Sequence, residues 1–444
     1  MNRFFSTGDS VRVSLREAVF SGLAPDGGLY VPGDIPSLPE CHDDVCAGGG
    51  GSDTDSFKRV ARWAAPPFFP ELSREIVADV VERAFTFPVP IVEVEPDHFV
   101  LELFHGPTHA FKDVGARFMA ALMIELSEGQ DPVRTVLVAT SGDTGGAVAD
   151  AFHRLPGYRV VVLFPQNGIS ERQRRQMTTL RGNVRALAVQ GTFDDCQRVV
   201  KEAFLDPVLR AEHSLTSANS INVARLLPQS LYYVYAACAV QRRRGLGAHA
   251  TPPRFVVPSG NLGNLCAGLL ACRAGMRSSG FVAATNTNRA FVDVLDGEAY
   301  RPRPSIPSLS NAMDVGAPSN FERILWLYDG DLGALRRDVL GVSVCDEEAT
   351  RCIADIYRDT GYVLDPHTAV AYEAARRQPR DGDAPLVVLA TAHPAKFPDV
   401  VEPAIGATIP TPPGLMQTYE RTEFMREVPP TLAALSRELE LQSA

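Results

Sequence analysis

Between residues 133 and 205 the chain repeats one pattern: a short β-branched run, a turn, then a helical stretch. Residues 133–139 (VRTVLVA) lead through a Gly-rich turn into a helix over 147–154. Residues 159–164 (RVVVLF) lead into a polar helix over 170–180, and 184–189 (VRALAV) into an amphipathic helix over 193–205. Residues 255–257, 281–284 and 386–390 read as further buried strands. Strands this uniformly apolar have no face to give to water. Alternating with helices, they predict parallel sheets covered on both sides, and so an α/β class. No fixed-period repeat is visible.

A chain of 444 residues allows roughly two or three domains. The net charge of −10 argues against nucleic acid or an anionic membrane as the main partner, though not against an anionic small substrate. No segment reaches the roughly 18 apolar residues a membrane span needs. The opening MNRFFS has no apolar run before Asp9 and Arg12, and the closing LQSA matches no address signal. Eight mostly isolated cysteines do not resemble a disulfide framework. The expected location is cytoplasmic. Residues 41–55 (CHDDVCAGGGGSDTD) read as a surface loop. Cys41, His42 and Cys46 lack a second ligand pair, so no metal site is expected.

In α/β folds ligands gather at the carboxyl ends of strands. Three turns stand out there: TSGDTGG (140–146), SGNLGN (259–264) and TAHPAKF (391–397). SGNLGN can cradle a phosphate, because its glycines permit close backbone approach and the following helix start offers unpaired N–H groups. It is neither a Walker A loop nor the G-x-G-x-x-G fingerprint, and a plain tight turn is the alternative. The chain has only four lysines: Lys58, Lys112, Lys201 and Lys396. Lys112, in FHGPTHAFKDVG (104–115), sits among Ala110, Phe111 and Val114. Desolvation there would lower its pKa and make it a Schiff-base nucleophile; a surface lysine beside Asp113 is the ordinary alternative. His105 and His109 are candidate bases or merely satisfied histidines. An aldehyde-binding lysine and a phosphate cradle together suggest pyridoxal phosphate (PLP), held at both ends.

With these motifs the sequence resembles the threonine synthase family of PLP enzymes, fold type II, similar to the tryptophan synthase β chain. GLAPDGGLYVP (22–32), FHGPTHAFKD, TSGDTG, SANSIN (217–222), VPSGNLGN, SLSNAMDVGAPSNFER (308–323) and ATAHPAKFP follow one another in the family's order. The resemblance implies conversion of O-phospho-L-homoserine and water to L-threonine and phosphate, with PLP on Lys112. It further implies that Gly260, Asn261, Leu262 and Asn264 hold the cofactor phosphate, that Thr391 meets the pyridine nitrogen, and that Asp143 lies beside the ring 3′-oxygen. Thr144, Asn219, Ser220 and Arg225 would bind the substrate phosphate, with Arg225 as a bidentate clamp; a helix start capped by Asn219 or Ser220 is the competing account of that segment. The expected architecture is an N-terminal subdomain (1–95), a smaller α/β lobe (132–206) and a larger PLP-binding lobe (96–131 and 207–444), in a monomer or homodimer. Two positions depart from the family's pattern: His109, where an aliphatic residue is usual, and Asn264, where Asp is frequent. His109 is close enough in sequence to alter the Lys112 pKa. The rival functions are a phospho-lyase releasing 2-oxobutyrate, a serine/threonine dehydratase without need of a phosphate clamp, and a non-catalytic PLP-binding homologue.

Overall fold

The apolar runs form the parallel strands of two sheets, and the carboxyl ends of those strands face a common cleft. The computed structural model describes residues 3–8, 12–39, 52–129, 131–244, 251–378 and 384–443. In chain order its strands are β1 (Phe4–Ser6), β2 (Arg12–Val13), β3 (Tyr30–Pro32), β4 (Ile91–Glu95), β5 (His98–Glu102), β6 (Arg134–Ala139) and β7 (Tyr158–Pro165). Then follow β8 (Val184–Val189), β9 (Leu215–Ser217), β10 (Arg254–Pro258), β11 (Phe281–Thr285), β12 (Val339–Ser343), β13 (Leu386–Ala390) and β14 (Arg426–Val428). The larger sheet has the order β12-β11-β10-β13-β5-β4, parallel except for β4. The smaller, β14-β8-β7-β6-β9, is parallel throughout. Strands β1 to β3 make a separate antiparallel sheet.

Alternate side chains of each strand enter different cores, which is why these strands read as unbroken apolar runs. In the smaller sheet Val136, Val138, Val160 and Val162 face one core, while Leu137, Val161 and Leu163 face another under helix Phe193–Leu205. In the larger sheet Phe255 and Val257 pack to one side and Val256 to the other.

The helix over 193–205 and the central strands lie where the sequence places them. Two helices start earlier than expected, inside the Gly-rich turns. Asp143–Phe152 begins within TSGDTGG, where the Thr140 hydroxyl accepts the N–H groups of Gly142 and Gly145. Gly263–Arg273 begins within SGNLGN.

The sheets also divide the chain differently from the expected domain boundaries. β4 joins the larger sheet although it falls within 1–95, while β9 and β14 extend the smaller sheet although they fall within 207–444. The reason is physical: an edge strand is recruited by whichever edge is open, not by sequence proximity. Within the expected 41–55 loop, Ser52 instead caps helix Asp53–Ala64 in a capping box with Asp55. Cys41, His42 and Cys46 lie outside the described residues.

Candidate active site

Lys112 is the first residue of helix Lys112–Leu126. The preceding turn is folded onto Asp113, whose buried carboxylate accepts the Thr108 N–H (2.9 Å) and hydroxyl (2.6 Å). A Cβ at Gly106 would fall 2.3 Å from Asp113 Oδ2, so only glycine fits there. Burial pushes the Asp113 carboxyl up to about 6, against the two Thr108 hydrogen bonds. Asp113 is therefore not the surface partner of Lys112. The Lys112 ammonium lies 4.6 Å from the Phe111 ring centroid and lines a cleft. Desolvation brings its pKa down to about 8; Asp143 opposes that shift, while Arg225 and Lys396 reinforce it.

Across the cleft, β10 ends in the SGNLGN turn. Leu262 takes the left-handed conformation (φ 60°), and helix Gly263–Arg273 starts with no side-chain cap. A Cβ at Gly260 would sit 2.9 Å from both Ala312 O and Met313 Cα, so this loop and the segment around Ala312 touch through glycine. Asn264 Oδ1 accepts the hydroxyls of Tyr232 (2.5 Å) and Tyr233 (2.7 Å), which leaves its buried Nδ2 without a partner. An orphaned donor at an uncapped helix start suits a phosphate.

The segment after β9 supplies Ser220 and Arg225. The cap of helix Val223–Leu226 is Asn222, accepting from Ala224 N–H at 2.9 Å, rather than Asn219 or Ser220. Ser220 Oγ instead accepts Asn261 Nδ2 at 2.8 Å. Arg225 is buried; its Nη1 donates to Ala218 O, and its Nε has no partner. Burial lowers its pKa to about 10, with Asp113 opposing.

Lys112, Asp143, Thr144, Ser220, Arg225, Gly260, Asn261, Leu262, Asn264 and Thr391 all line this one cleft. Asn219 does not, although its Oδ1 is buried without a partner. Three further groups were not foreseen. Lys396, wholly buried, pairs with Asp143 Oδ1 at 2.7 Å and donates to Thr108 O at 2.9 Å. Gln173 Nε2 donates to the same Asp143 oxygen at 2.9 Å. Burial would raise the Asp143 pKa, but the Lys396 and Lys112 ammonium groups overcome it and hold the carboxyl far below the usual range. Arg323, fully buried, donates to the carbonyls of Tyr30, Ser220 and Ile221, and so ties the N-terminal sheet to the Ser220 turn. The lysine count pointed at Lys396, and NFER at Arg323; nothing local indicated their partners.

His109 takes a left-handed φ of 56° and packs edge-on to His393, with Gly414 against its Nε2. Burial, with Lys396 and His393 adjacent, lowers its imidazole to about 4. The leading charged groups acting on Lys112 are Asp143, Arg225, Lys396 and Asp365.

The fold and this cleft define a pyridoxal-phosphate-dependent enzyme: the family described as "Pyridoxal-phosphate dependent enzyme" matches residues 89–392. Its flanks match "Threonine synthase N terminus" over 3–85 and "Threonine synthase, C-terminal" over 368–438. The chain belongs to the threonine synthase family. It is 40% identical to the threonine synthase of Escherichia coli over 430 residues, covering 96% of each chain. The crystal structure of an E. coli threonine synthase matches with a TM-score of 0.89 at 37% identity, covering all of both chains. The PLP-bound threonine synthase of Brucella melitensis gives 0.89 at 34% identity over 99% of both.

Proposed function

We propose that this chain converts O-phospho-L-homoserine and water to L-threonine and phosphate. The supporting observation is that Lys112 shares a cleft with two buried, unpartnered donors on separate elements, Asn264 Nδ2 and Arg225 Nε. Two anion sites are what a phosphorylated cofactor and a phosphorylated substrate require; a dehydratase needs one. Gly260, Asn261, Leu262 and Asn264 would hold the cofactor phosphate, and the Thr391 hydroxyl the ring nitrogen, with Asp143 beside the 3′-oxygen. Thr144, Ser220 and Arg225, which line the cleft, would hold the substrate phosphate; Asn219, which does not line it, is left out of that set.

Bound PLP would supply a sink for the electron pairs left when protons leave Cα and Cβ. Lys112 Nζ, its pKa brought down to about 8 by desolvation, is the group that accepts and returns protons at the substrate carbons. Arg225 keeps the phosphate in place as the Cγ–O bond breaks, and the released dianion is a base for the water that adds at Cβ. Cγ gains a proton and ends as the methyl group. Burial of the Lys112 surroundings keeps stray water from the reacting carbons. We assign the enzyme to the cytoplasm, as a monomer or homodimer; no helix among the described residues is long and apolar enough to cross a membrane.

Incubating the PLP-loaded protein with O-phospho-L-homoserine tests the proposal. Phosphate matched by threonine is expected. Phosphate matched by 2-oxobutyrate would make the protein a phospho-lyase, and no phosphate at all would remove the substrate assignment.

A further inference from the structure

Three buried carboxylates surround the Lys112 region, and each is already engaged. Asp113 holds Thr108. Asp365 accepts His367 Nδ1 (2.8 Å), the His367 N–H (2.9 Å) and the Thr368 hydroxyl. Asp143 holds Lys396 and Gln173, both through Oδ1. No carboxylate of the described residues lies within ion-pairing distance of Lys112 Nζ, which rests instead over the Phe111 ring. The Asp143–Lys396 pair also joins the two sheets, since Asp143 leaves β6 and Lys396 follows β13.

We propose that Lys396 is a positioning residue: by occupying Asp143 it leaves Lys112 an unpaired amine, able to condense with the cofactor aldehyde. This rests on the reading of Lys112 as the lysine that carries PLP. The condensation forms C=N and releases one water, and only the uncharged amine can begin it. Without Lys396, the Asp143 carboxylate is free to capture the Lys112 ammonium, and one nearby positive charge is lost. Both changes favour the protonated amine. The remaining charges facing Lys112, Arg225 and Asp365, are unaltered. Those facing Lys396 besides Asp143 are Lys112 itself, Asp113, His109 and His393, the two histidines being held neutral by burial. A Lys396 that merely filled space would leave the Lys112 ionisation where it is.

The test strips PLP from purified holoenzyme and follows two readouts against pH. One is the rate of cofactor uptake; the other is acetylation of Lys112 by acetic anhydride, read by peptide mass. Lys396→Met is expected to move both midpoints up by about one unit, so that uptake below the midpoint slows about tenfold. Asp143→Asn leaves an uncompensated ammonium near Lys112 and is expected to move them down. The double variant returns towards wild type, and Lys396→Arg stays there. An unmoved midpoint in Lys396→Met, or shifts of the same sign in the two single variants, overturns the proposal. If Lys396→Met does not fold, Lys396→Gln takes its place, with the same upward shift expected and an unmoved midpoint overturning the proposal. Wild-type protein that takes up no PLP, while its Lys112 labelling profile still shifts as stated, would sink the cofactor reading and leave the positioning role standing.

Discussion

A guanidinium buried with an N–H that nothing accepts is costly unless an anion reaches it. Arg225 is in that state: Nη1 is spent on Ala218 O, and Nε has no acceptor. Arg225→Gln is therefore expected to slow phosphate release by at least about 30-fold, the lower end of roughly 2–5 kcal/mol for truncating one partner of a buried charged pair. Cofactor absorbance should survive, because Lys112 and Asn264 stay in place and the guanidinium is only one of several groups that act on Lys112. Steady-state phosphate release beside an absorbance spectrum decides it; loss of both signals would show that Arg225 serves the cofactor instead. Lys112 was legible as a candidate because amines are scarce in this chain and its neighbours are apolar. Lys396 was not. Its carboxylate partner lies more than 250 residues earlier in the chain, on the other sheet. Asp113 was misleading, since adjacency in sequence to Lys112 looks like a surface pair while the helix start turns the two side chains apart.

Helix Lys112–Leu126 reaches the Arg225 segment through Gly115. A Cβ there would stand 2.8 Å from the Arg225 carbonyl and 3.2 Å from its Nε. Gly115→Ala favours the helix itself by about 1 kcal/mol in propensity, yet pushes the clamp away from the cleft. The expected result is about a tenfold rise in KM for the phosphorylated substrate, with the cofactor absorbance intact; an unchanged KM would mean the clamp has slack. Elements were legible where burial made them uniform: β6, β7, β8 and β13 are apolar runs, and helix Phe193–Leu205 has a clear apolar stripe under a Thr192 cap. β12 and β14 were not read. They are short, partly exposed edge strands that owe their existence to a neighbour far away in sequence. The helices starting inside the Gly-rich turns were placed late, because a glycine run reads as loop until Thr140 or Leu262 is seen organising it.

At the scale of the whole molecule, the carboxyl-terminal segment closes what the smaller sheet leaves open. β14 pairs with β8, helix Leu432–Ser443 lays Leu435 and Leu439 on the core under helix Phe193–Leu205, and Glu423 accepts Arg174 through both carboxylate oxygens (3.0 and 3.1 Å). Leu435→Ala is expected to cost roughly 2–5 kcal/mol in denaturant unfolding while KM stays put; a KM change would couple that core to the cleft. The same segment packs on a pH-sensitive pair, since Gly414 sits against His109, which packs on His393. Both imidazoles are held down to about 4 by burial, so the folded state favours their neutral forms. Their stabilisation is fully present above the unfolded value near 6.5 and is lost as pH falls from there towards 4. Asp113 runs the other way: raised to about 6, it stabilises below about 3.8 and loses that contribution as pH climbs through 6, partly offsetting the histidines on acidification. Two coupled histidines outweigh one carboxyl, so stability should fall between pH 7 and 5. Asn tolerates the left-handed backbone of position 109 and does not titrate. His109→Asn should therefore shrink the difference in unfolding free energy between pH 7 and 5 by up to about 2 kcal/mol, whatever it does to the absolute value. Urea titrations of both proteins at the two pH values give that difference directly, and an undiminished difference would assign the acid limit to groups other than His109.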